Sequence, residues 1–319
     1  MIVLTEGGAV VGLGHVRRCL TLAAALRNEG VECTFHVRGG SPVSELVAHE
    51  NFPVNAVEDF HEQLEGAPAV LIDSYRIEDD LFSLGIPTIV IDDLADRPLL
   101  VDVVINPGAG TESLNYIVRD DTRLLLGVGY ALLRPEFTHP LEREIRERLD
   151  TIMITLGGND HGSLALDLVR WTCDSARQAT VDVIAGPFFQ HVDELRAFAA
   201  ESGRVRLRTD VRDMRSVMLG FDLAISSGGQ TLYELAATGT PAIALSTAEN
   251  QRHNIAALSA AGAIVALDEK TPAAVARAIT RVSDMNVRRE MSRRGRMLVD
   301  GRGAERAAAE IARLVRRPE

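Results

Sequence analysis

The stretch MIVLTEGGAVVGLGHVRRCL, residues 1–20, decides how the rest of the chain is read. Met1 to Leu4 make a short apolar strand, a glycine-rich turn follows, and Val16, Cys19, Leu20 and Ala23 then recur at helical spacing. Strand, glycine turn and helix form a loop suited to hold a ligand. Glycines let a ligand approach the backbone, and the first turn of a helix leaves N–H groups unpaired for a polar or anionic group. Gly12 and Gly14 stand nearest the helix, and His15 marks the point where loop becomes helix. Taken alone, the same residues also describe an ordinary turn with a solvated histidine.

With 319 residues the chain is long enough for two domains, each with its own core. Hydrophobic residues make up 46% and charged residues 25%, with no long low-complexity tract, which describes a folded chain. The net charge of −11 disfavours a nucleic-acid partner, since phosphate contacts need basic residues. Cys19, Cys33 and Cys173 are widely spaced and form no CxxC or Cys/His ligand pattern, so a reducing cytoplasm is the expected compartment. No leader-like segment opens the sequence and no apolar stretch reaches transmembrane length; neither export nor membrane insertion is expected. Nothing in the sequence sets an oligomeric state.

VECTFHV (31–37) reads as a second strand, followed by a helix through Leu46 and Val47 and a weak strand at 54–57. AVLID (69–73), TIVIDD (88–93) and VDVVIN (101–106) are continuous apolar runs, the pattern of a parallel sheet covered on both faces. Ligands sit beyond the carboxyl ends of such strands, which singles out Gly12 to His15, Asp73 to Arg76, Asp92 to Leu94 and Asn106 to Gly110. Tyr75 is either a half-buried packing residue or a ligand contact. Asp73, Asp92 and Asp93 stand where catalytic carboxylates are placed, and also where Asp caps a following helix; for Asp92 and Asp93 the capping role is preferred. Glu6, in the first turn, is read as a polar loop residue in preference to a catalytic carboxylate. Residues 127–137, GVGYALLRPEF, read as the last strand, a loop and the passage to a second domain, with the boundary near 148.

TIMITL (151–156) restarts the same logic and ends in Gly157, Gly158, Asn159 and Asp160. Helices at 163–177 and 191–202 alternate with strands at 181–185, 204–208 and 222–225. Then comes the densest polar loop, Ser226, Ser227, Gly228, Gly229, Gln230 and Thr231, opening a helix through Leu232 and Leu235. Backbone N–H groups and hydroxyls at such a helix start can converge on a pyrophosphate. Glu234, one turn in, reads on its own as a solvated or first-turn dipole residue. A strand at 241–245, a polar cluster from Glu249 to Asn254, and helices near 272–283 and 303–317 complete the chain.

The fold class is therefore α/β: two Rossmann-like domains, 1–148 and 149–319, with parallel sheets facing across a cleft. Dinucleotide binding is not supported, because Arg17 stands where a GxGxxG fingerprint needs its third glycine. HExxH, GxSxG and GxxxxGK[ST] are missing too, and no DxD carboxylate pair implies a metal. No cofactor is expected. The expected ligand is a nucleotide-linked small molecule.

Taken together, GLGHVRRCLTLA (12–23), IDSY (72–75), IDD (91–93) with VDVVINP (101–107), GYALLRPEF (129–137), LGGND (156–160), SSGGQTLYELAATGTPAI (226–243) and ENQ (249–251) resemble a known family. The chain is similar over most of its length to the nucleotide-sugar hydrolases of pseudaminic-acid biosynthesis, the UDP-2,4-diacetamido-2,4,6-trideoxy-β-L-altropyranose hydrolases, and to their spore-coat polysaccharide relatives in the GT-B superfamily. GYALLRPEF and the G-x-G-H loop are the more specific marks; the 226–243 block is shared with the lipid-linked GlcNAc transferase of peptidoglycan synthesis.

The resemblance implies a GT-B-like fold, UDP on the C-terminal domain and the sugar on the N-terminal one. It implies His15 as the base that deprotonates a water attacking the anomeric carbon while UDP departs with inversion. A neutral imidazole can accept that proton at physiological pH. Gly12, Gly14, Tyr75 and Asn250 would line the sugar site. Gly157, Gly158, Ser226, Gly228, Gly229, Gln230, Thr231 and Glu234 would hold UDP, with Glu234 on the ribose. One departure stands out: Thr5, Glu6, Gly7 and Gly8 replace a basic and an acidic residue beside the catalytic loop. Hydrolysis of a UDP-sugar is thus the leading expectation. Glycosyl transfer from the same donor is the alternative, and a non-catalytic nucleotide-sugar-binding protein is the reading from another class.

Overall fold

The computed structural model describes every residue except 9–10, 62–63, 65, 139–142, 159–163, 187–188, 190, 210 and 317–319. The chain divides into two compact units, Met1–Pro135 with Arg302–Glu319, and Glu136–Gly301.

In the first unit β1 (Ile2–Glu6), α1 (Gly14–Asn28), β2 (Thr34–Arg38), α2 (Ser41–His49), β3 (Val54–Ala56), β4 (Val70–Asp73), β5 (Thr88–Ile91), β6 (Val103–Asn106) and β7 (Arg123–Leu126) follow in order. The seven strands form one parallel sheet in the order β3-β2-β1-β4-β5-β6-β7. Because side chains alternate along a strand, each strand feeds two cores. Val3, Leu71, Ile89 and Val103 pack with Val16, Cys19, Leu22 and Leu26 of α1. Leu4, Ile72, Val90 and Val104 pack on the other face with Phe60, Leu81, Phe82 and Leu99. Burial on both faces is why these strands are continuous apolar runs.

The second unit contains β8 (Thr151–Thr155), α3 (Leu164–Ser175), β9 (Thr180–Ile184), α4 (Val192–Ser202), β10 (Val205–Arg208), α5 (Met214–Leu219), β11 (Leu223–Ser227), α6 (Thr231–Thr238), β12 (Ala242–Leu245), α7 (Gln251–Ala260), β13 (Ile264–Ala266), α8 (Pro272–Ser283) and α9 (Met285–Leu298). Its six strands are all parallel, in the order β10-β9-β8-β11-β12-β13. Thr271 caps α8 by accepting from Ala274 N, with Pro272 at the first helical position, and Asp284 caps α9 by accepting from Asn286 N. In both sheets the chain leaves the first strand in one direction and returns to its other side, so a topological switch point falls between β1 and β4 and between β8 and β11.

Several expectations are corrected. The first unit's last strand is Arg123–Leu126, and 127–137 is turn and short 3₁₀ helix, because Gly127 at φ +88° ends the strand. The compact units change over at residue 136 rather than near 148. The closing helix α10 (Gly303–Val315) does not belong with the second unit. It packs along α1, placing Ala304, Ala307, Ala308, Ile311 and Ala312 in the first unit's core. Its N-terminus is packed against the 128–131 turn: Gly303 is so tight against Tyr130 and Ala131 that a Cβ there would collide with their backbone. Helices α5 and α9 and strand β13 are additional to the sequence reading.

Candidate functional site

Asp73 ends β4 and is fully buried. Two residues beyond Leu71, it shares Leu71's face of the sheet and so lies under α1. His15, Arg18 and Cys19 occupy positions i, i+3 and i+4 of that helix, one face of its first two turns. Helix and strand end therefore meet at the β1/β4 switch point.

The contacts are short. Asp73 Oδ1 accepts from His15 Nδ1 and from Arg18 Nη2, both at 2.6 Å; Oδ2 accepts from Arg18 Nε at 2.6 Å and from the Cys19 thiol at 3.5 Å. An ionised carboxylate can only accept, so the pairing assigns a proton to His15 Nδ1; in the neutral ring the lone pair then sits on Nε2. Burial pushes the Asp73 carboxyl up, but the charge and hydrogen bonds of Arg18, with His15, hold it well below the ordinary carboxylate value. Burial, with the Asp73 charge beside it, raises the Cys19 thiol well above its usual value and keeps it protonated.

Arg18 reaches further. Its Nη1 donates to both oxygens of Asp93, at 2.7 and 2.9 Å, so one guanidinium spans carboxylates from the ends of β4 and β5. Asp93 is thereby held below its ordinary value in spite of burial, and it caps nothing, which overturns its expected role. Asp92 does cap, though of a turn and not of a helix. Its Oδ2 accepts from Leu94 N, Ala95 N and the Tyr116 hydroxyl, at 3.1, 2.8 and 2.9 Å, and burial raises its pKa. Tyr75 completes the group: its hydroxyl donates to Asp93 Oδ2 at 2.7 Å and its ring meets His15 edge-on, centroids 4.5 Å apart at 86°. Tyr75 is 38% exposed and His15 5%.

Glu6 is neither a loop residue nor free for chemistry. It ends β1, fully buried, on the face opposite the His15 group. Oε1 accepts from Ser74 Oγ at 2.8 Å and Tyr75 N at 3.0 Å, and Oε2 accepts from Arg76 Nε and Nη2 at 2.8 and 2.5 Å. Burial pushes its carboxyl up, but the Ser74 bond and the Arg76 guanidinium bring it below its usual value. Glu6 ties the 74–76 loop to the end of β1, which fixes the backbone that carries Tyr75. On the helix side, Gly8 and Gly12 exchange two backbone hydrogen bonds at 2.9 and 2.7 Å, and Gly12 sits at φ +76°. A Cβ on Gly12 or Gly14 would meet nothing within 4 Å, so the backbone before His15 is open to an approaching group.

In the second unit the β8/β11 switch point carries the other glycine loops. Ser226 and Ser227 end β11 fully or nearly fully buried, and Gly228 and Gly229 lead to Gln230 at the N-cap of α6. Gln230 makes no side-chain cap, and Thr231 and the half-buried Glu234 lie in the helix's first turn. The loop is pinned from α7. Gln251 Oε1 accepts from Gly228 N at 3.2 Å and Thr247 N at 2.9 Å, Asn254 Nδ2 donates to Gly228 O at 3.1 Å, and the Tyr233 hydroxyl donates to Asn254 Oδ1. Asn250 is the α7 N-cap, beside this brace. Gly157, at φ +87°, follows β8 next to the end of β11; a Cβ there would lie 3.9 Å from Ser227 Oγ. Asn159 and Asp160 of the same turn lie outside the described residues.

The structure thus gathers Gly12, Gly14, His15 and Tyr75 in the first unit, and Gly157, Gly158, Ser226, Gly228, Gly229, Gln230, Thr231, Glu234 and Asn250 in the second. Arg18 and Gln251 were not singled out from sequence, and Asp93 was singled out but preferred as a cap. The i, i+3 spacing of His15 and Arg18 beside strands ending in Asp was the signal available for Arg18. Among the described residues no group of three His, Cys, Asp or Glu side chains is placed to hold a metal ion, and no helix is long and apolar enough to cross a membrane.

No family model matches the chain. It is 28% identical over 272 residues to an uncharacterized protein of Methanocaldococcus jannaschii, covering 78% of this chain and 56% of that protein. It is 25% identical over 336 aligned positions to the spore coat polysaccharide biosynthesis protein SpsG of Bacillus subtilis, covering 98% and 97%. With the pseudaminic acid cytidylyltransferase and UDP-2,4-diacetamido-2,4,6-trideoxy-beta-L-altropyranose hydrolase of Helicobacter pylori it shares 24% identity over 249 residues, 75% of this chain and 43% of that one. The chain therefore spans about half the length of the archaeal relative, less than half of the Helicobacter protein and nearly all of SpsG. Among solved structures, MurG of Acinetobacter baumannii superposes with a TM-score of 0.67 at 16% identity, covering 98% of this chain and 99% of MurG. The spinosyn rhamnosyltransferase SpnG gives 0.65 at 15% (98% and 100%), and S. aureus MnaA, solved with UDP, gives 0.67 at 14% (98% and 96%). The fold is of the GT-B type. At these identities the structural likeness speaks for the fold alone.

Proposed function

We propose that the chain hydrolyses a UDP-linked amino or deoxy sugar at the anomeric carbon, releasing UDP and free sugar for nonulosonic-acid or surface-polysaccharide synthesis. The observation that carries this reading is the buried His15–Asp73 pair, 2.6 Å apart at a strand-end switch point beside an open glycine backbone. Such a pair presents a neutral Nε2 as base and an ionised carboxylate to stabilise the imidazolium that forms. The water oxygen bonds to the anomeric carbon, its proton passes to Nε2, and the carbon–oxygen bond to the diphosphate breaks with its electrons leaving on UDP. Gly12, Gly14 and Tyr75 of the first unit, with Asn250, are assigned to the sugar. The loops at Gly157–Gly158 and Ser226–Thr231 are assigned to the diphosphate, whose departure backbone N–H groups assist, and Glu234 to the ribose. The names of the Bacillus and Helicobacter relatives support a role in sugar-nucleotide chemistry.

The test is incubation of the pure protein with a panel of UDP-sugars in ¹⁸O-labelled water, without acceptor. Hydrolysis puts the label in the anomeric oxygen of the released sugar, after correction for spontaneous exchange, and His15→Ala abolishes release. The same His15–Asp73 pair serves a second reading, transfer to an acceptor hydroxyl that takes the place of water at His15. Turnover that begins only when an acceptor is supplied would replace hydrolysis with transfer.

A further inference from the structure

Five ionisable groups are concentrated around His15, with a sixth, Glu6, at the end of β1, and their arrangement is asymmetric. From its own helix come Arg18, whose Nη2 lies 3.2 Å from His15 Nδ1, and the protonated Cys19. The end of β4 contributes Asp73 at 2.6 Å, and the following loop contributes Tyr75, its ring perpendicular to that of His15. Asp93 arrives after β5, bonded to both Arg18 and Tyr75. Glu6 stands at the end of β1, its own charge neutralised by Arg76. With a neutral imidazole the inner group carries two carboxylates against one guanidinium. Two carboxylates alone would hold a proton on the imidazole and remove its lone pair from use. Among the described residues Arg18 is the only cation in the inner group, and it bonds both carboxylates at once.

We propose that Arg18 is a positioning residue that keeps His15 in its proton-accepting form by neutralising Asp73 and Asp93 together. The role rests on the reading of His15 as the reaction's base. It explains why the cation is an arginine: the planar fork sends Nε and Nη2 to Asp73 and Nη1 to Asp93, a span that a single ammonium does not reproduce. It also explains why the Asp93 side chain, which makes no cap, is only 20% exposed. Asp93 holds the outer edge of the guanidinium, so that Arg18 cannot swing away from Asp73. Through the Tyr75 hydroxyl, the same carboxylate is linked to the exposed rim of the site.

The experiment is an NMR titration of the His15 Cε1 proton in the full chain, its signal assigned by loss in His15→Gln, and compared in wild type, Arg18→Met, Arg18→Lys and Asp93→Asn. Arg18→Met is expected to move the titration midpoint to higher pH by about one to three units. Asp93→Asn, whose amide oxygen can still accept from Arg18 Nη1 while the charge is lost, is expected to move it to lower pH, and Arg18→Lys to leave it between wild type and Arg18→Met. Where Arg18→Met does not fold, the Asp93→Asn and Arg18→Lys pair decides. A midpoint unmoved in the folded variants overturns the proposal. The titration needs no substrate, so a chain that turns over no UDP-sugar yet shows these shifts would separate failure of the hydrolytic reading from failure of the charge arrangement. If both hold, the acid limb of the kcat/KM profile moves in the same direction as the titration in each variant.

Discussion

The Tyr75 hydroxyl donates to Asp93 at 2.7 Å while the Tyr75 ring meets that of His15 edge-on, so one partly exposed side chain joins the ring of the proposed base to the carboxylate anchoring Arg18. Tyr75→Phe keeps the ring contact and deletes the bond. A neutral donor to a charged acceptor contributes about 1.5–3 kcal/mol, so kcat/KM for the UDP-sugar should fall by roughly 10- to 150-fold. Steady-state kinetics check this; a Phe variant at wild-type rate would remove the hydroxyl from the mechanism.

Asp73→Asn preserves the shape of the pair but lets an amide donate where a carboxylate accepted, which favours the wrong imidazole tautomer. By analogy with the orienting aspartate of a catalytic triad, kcat should drop by about 10²–10⁴ with KM little changed. The measurement is UDP release at saturating substrate, with circular dichroism to confirm that the fold is kept around the partly buried Arg18.

Acid should destabilise the first unit. Glu6, Asp73 and Asp93 are each held below their usual values when folded, so their contribution to stability is present above about pH 4 and is lost as pH falls through the folded values. Asp92, raised by burial, acts in the opposite sense and offsets part of the loss. Glu6→Gln should lower stability near neutral pH and flatten its decline below about pH 4, as read from urea midpoints across a pH series. An unchanged slope would mean that Glu6 is not held by Ser74 and Arg76 in solution.

Gly228 has no room for a side chain. A Cβ there would lie 2.7 Å from Ile255 Cδ1 and 3.0 Å from Gln251 Cβ, so Gly228→Ala must push α7 away from the loop. Overpacking of this kind costs about 1–3 kcal/mol, and UDP affinity measured by calorimetric titration should weaken by at least about tenfold. Undiminished UDP binding would place the diphosphate elsewhere.

Arg288 is fully buried, and its guanidinium donates to four backbone oxygens: Val282 and Ser283 at the end of α8 at 2.6 and 2.9 Å, and Arg146 and Glu147 at 2.7 and 2.9 Å. Arg288→Met leaves those carbonyls without their donor in a dry site and should cost about 3 kcal/mol or more in chemical denaturation. A loss below about 1 kcal/mol would show that water replaces the guanidinium.

Both sheets were legible in sequence because strands buried on two faces must be apolar throughout, as AVLID and TIVI are. The glycine loops were legible because they follow those strands. Helix α9 was not: its buried positions are Arg288, Met291, Ser292 and Gly295, which leave no apolar stripe to find. Strand β7 was displaced because RLLL at 123–126 runs directly into GVGY, and only the positive φ of Gly127 separates them. At the site, His15 stood out by type and position. Arg18 did not, and Asp93 was read as a cap, because an arginine on a helix and an aspartate after a strand each have a commoner use. Only the sheet order, which sets β4 beside β5 under α1, shows that the two belong together.

Helix α10 gives the chain an order of completion opposite to its order of synthesis. Every strand of the first sheet is made before residue 127, yet the helix that covers α1 begins at Gly303, after the whole of the contiguous second unit. At the usual pace of translation the nascent first unit waits roughly 10–35 s for those last residues, with the flank of α1 that receives Ala304, Ala307, Ala308 and Ile311 bare to solvent and to chaperones. The half of the protein that leaves the ribosome first is the last to close.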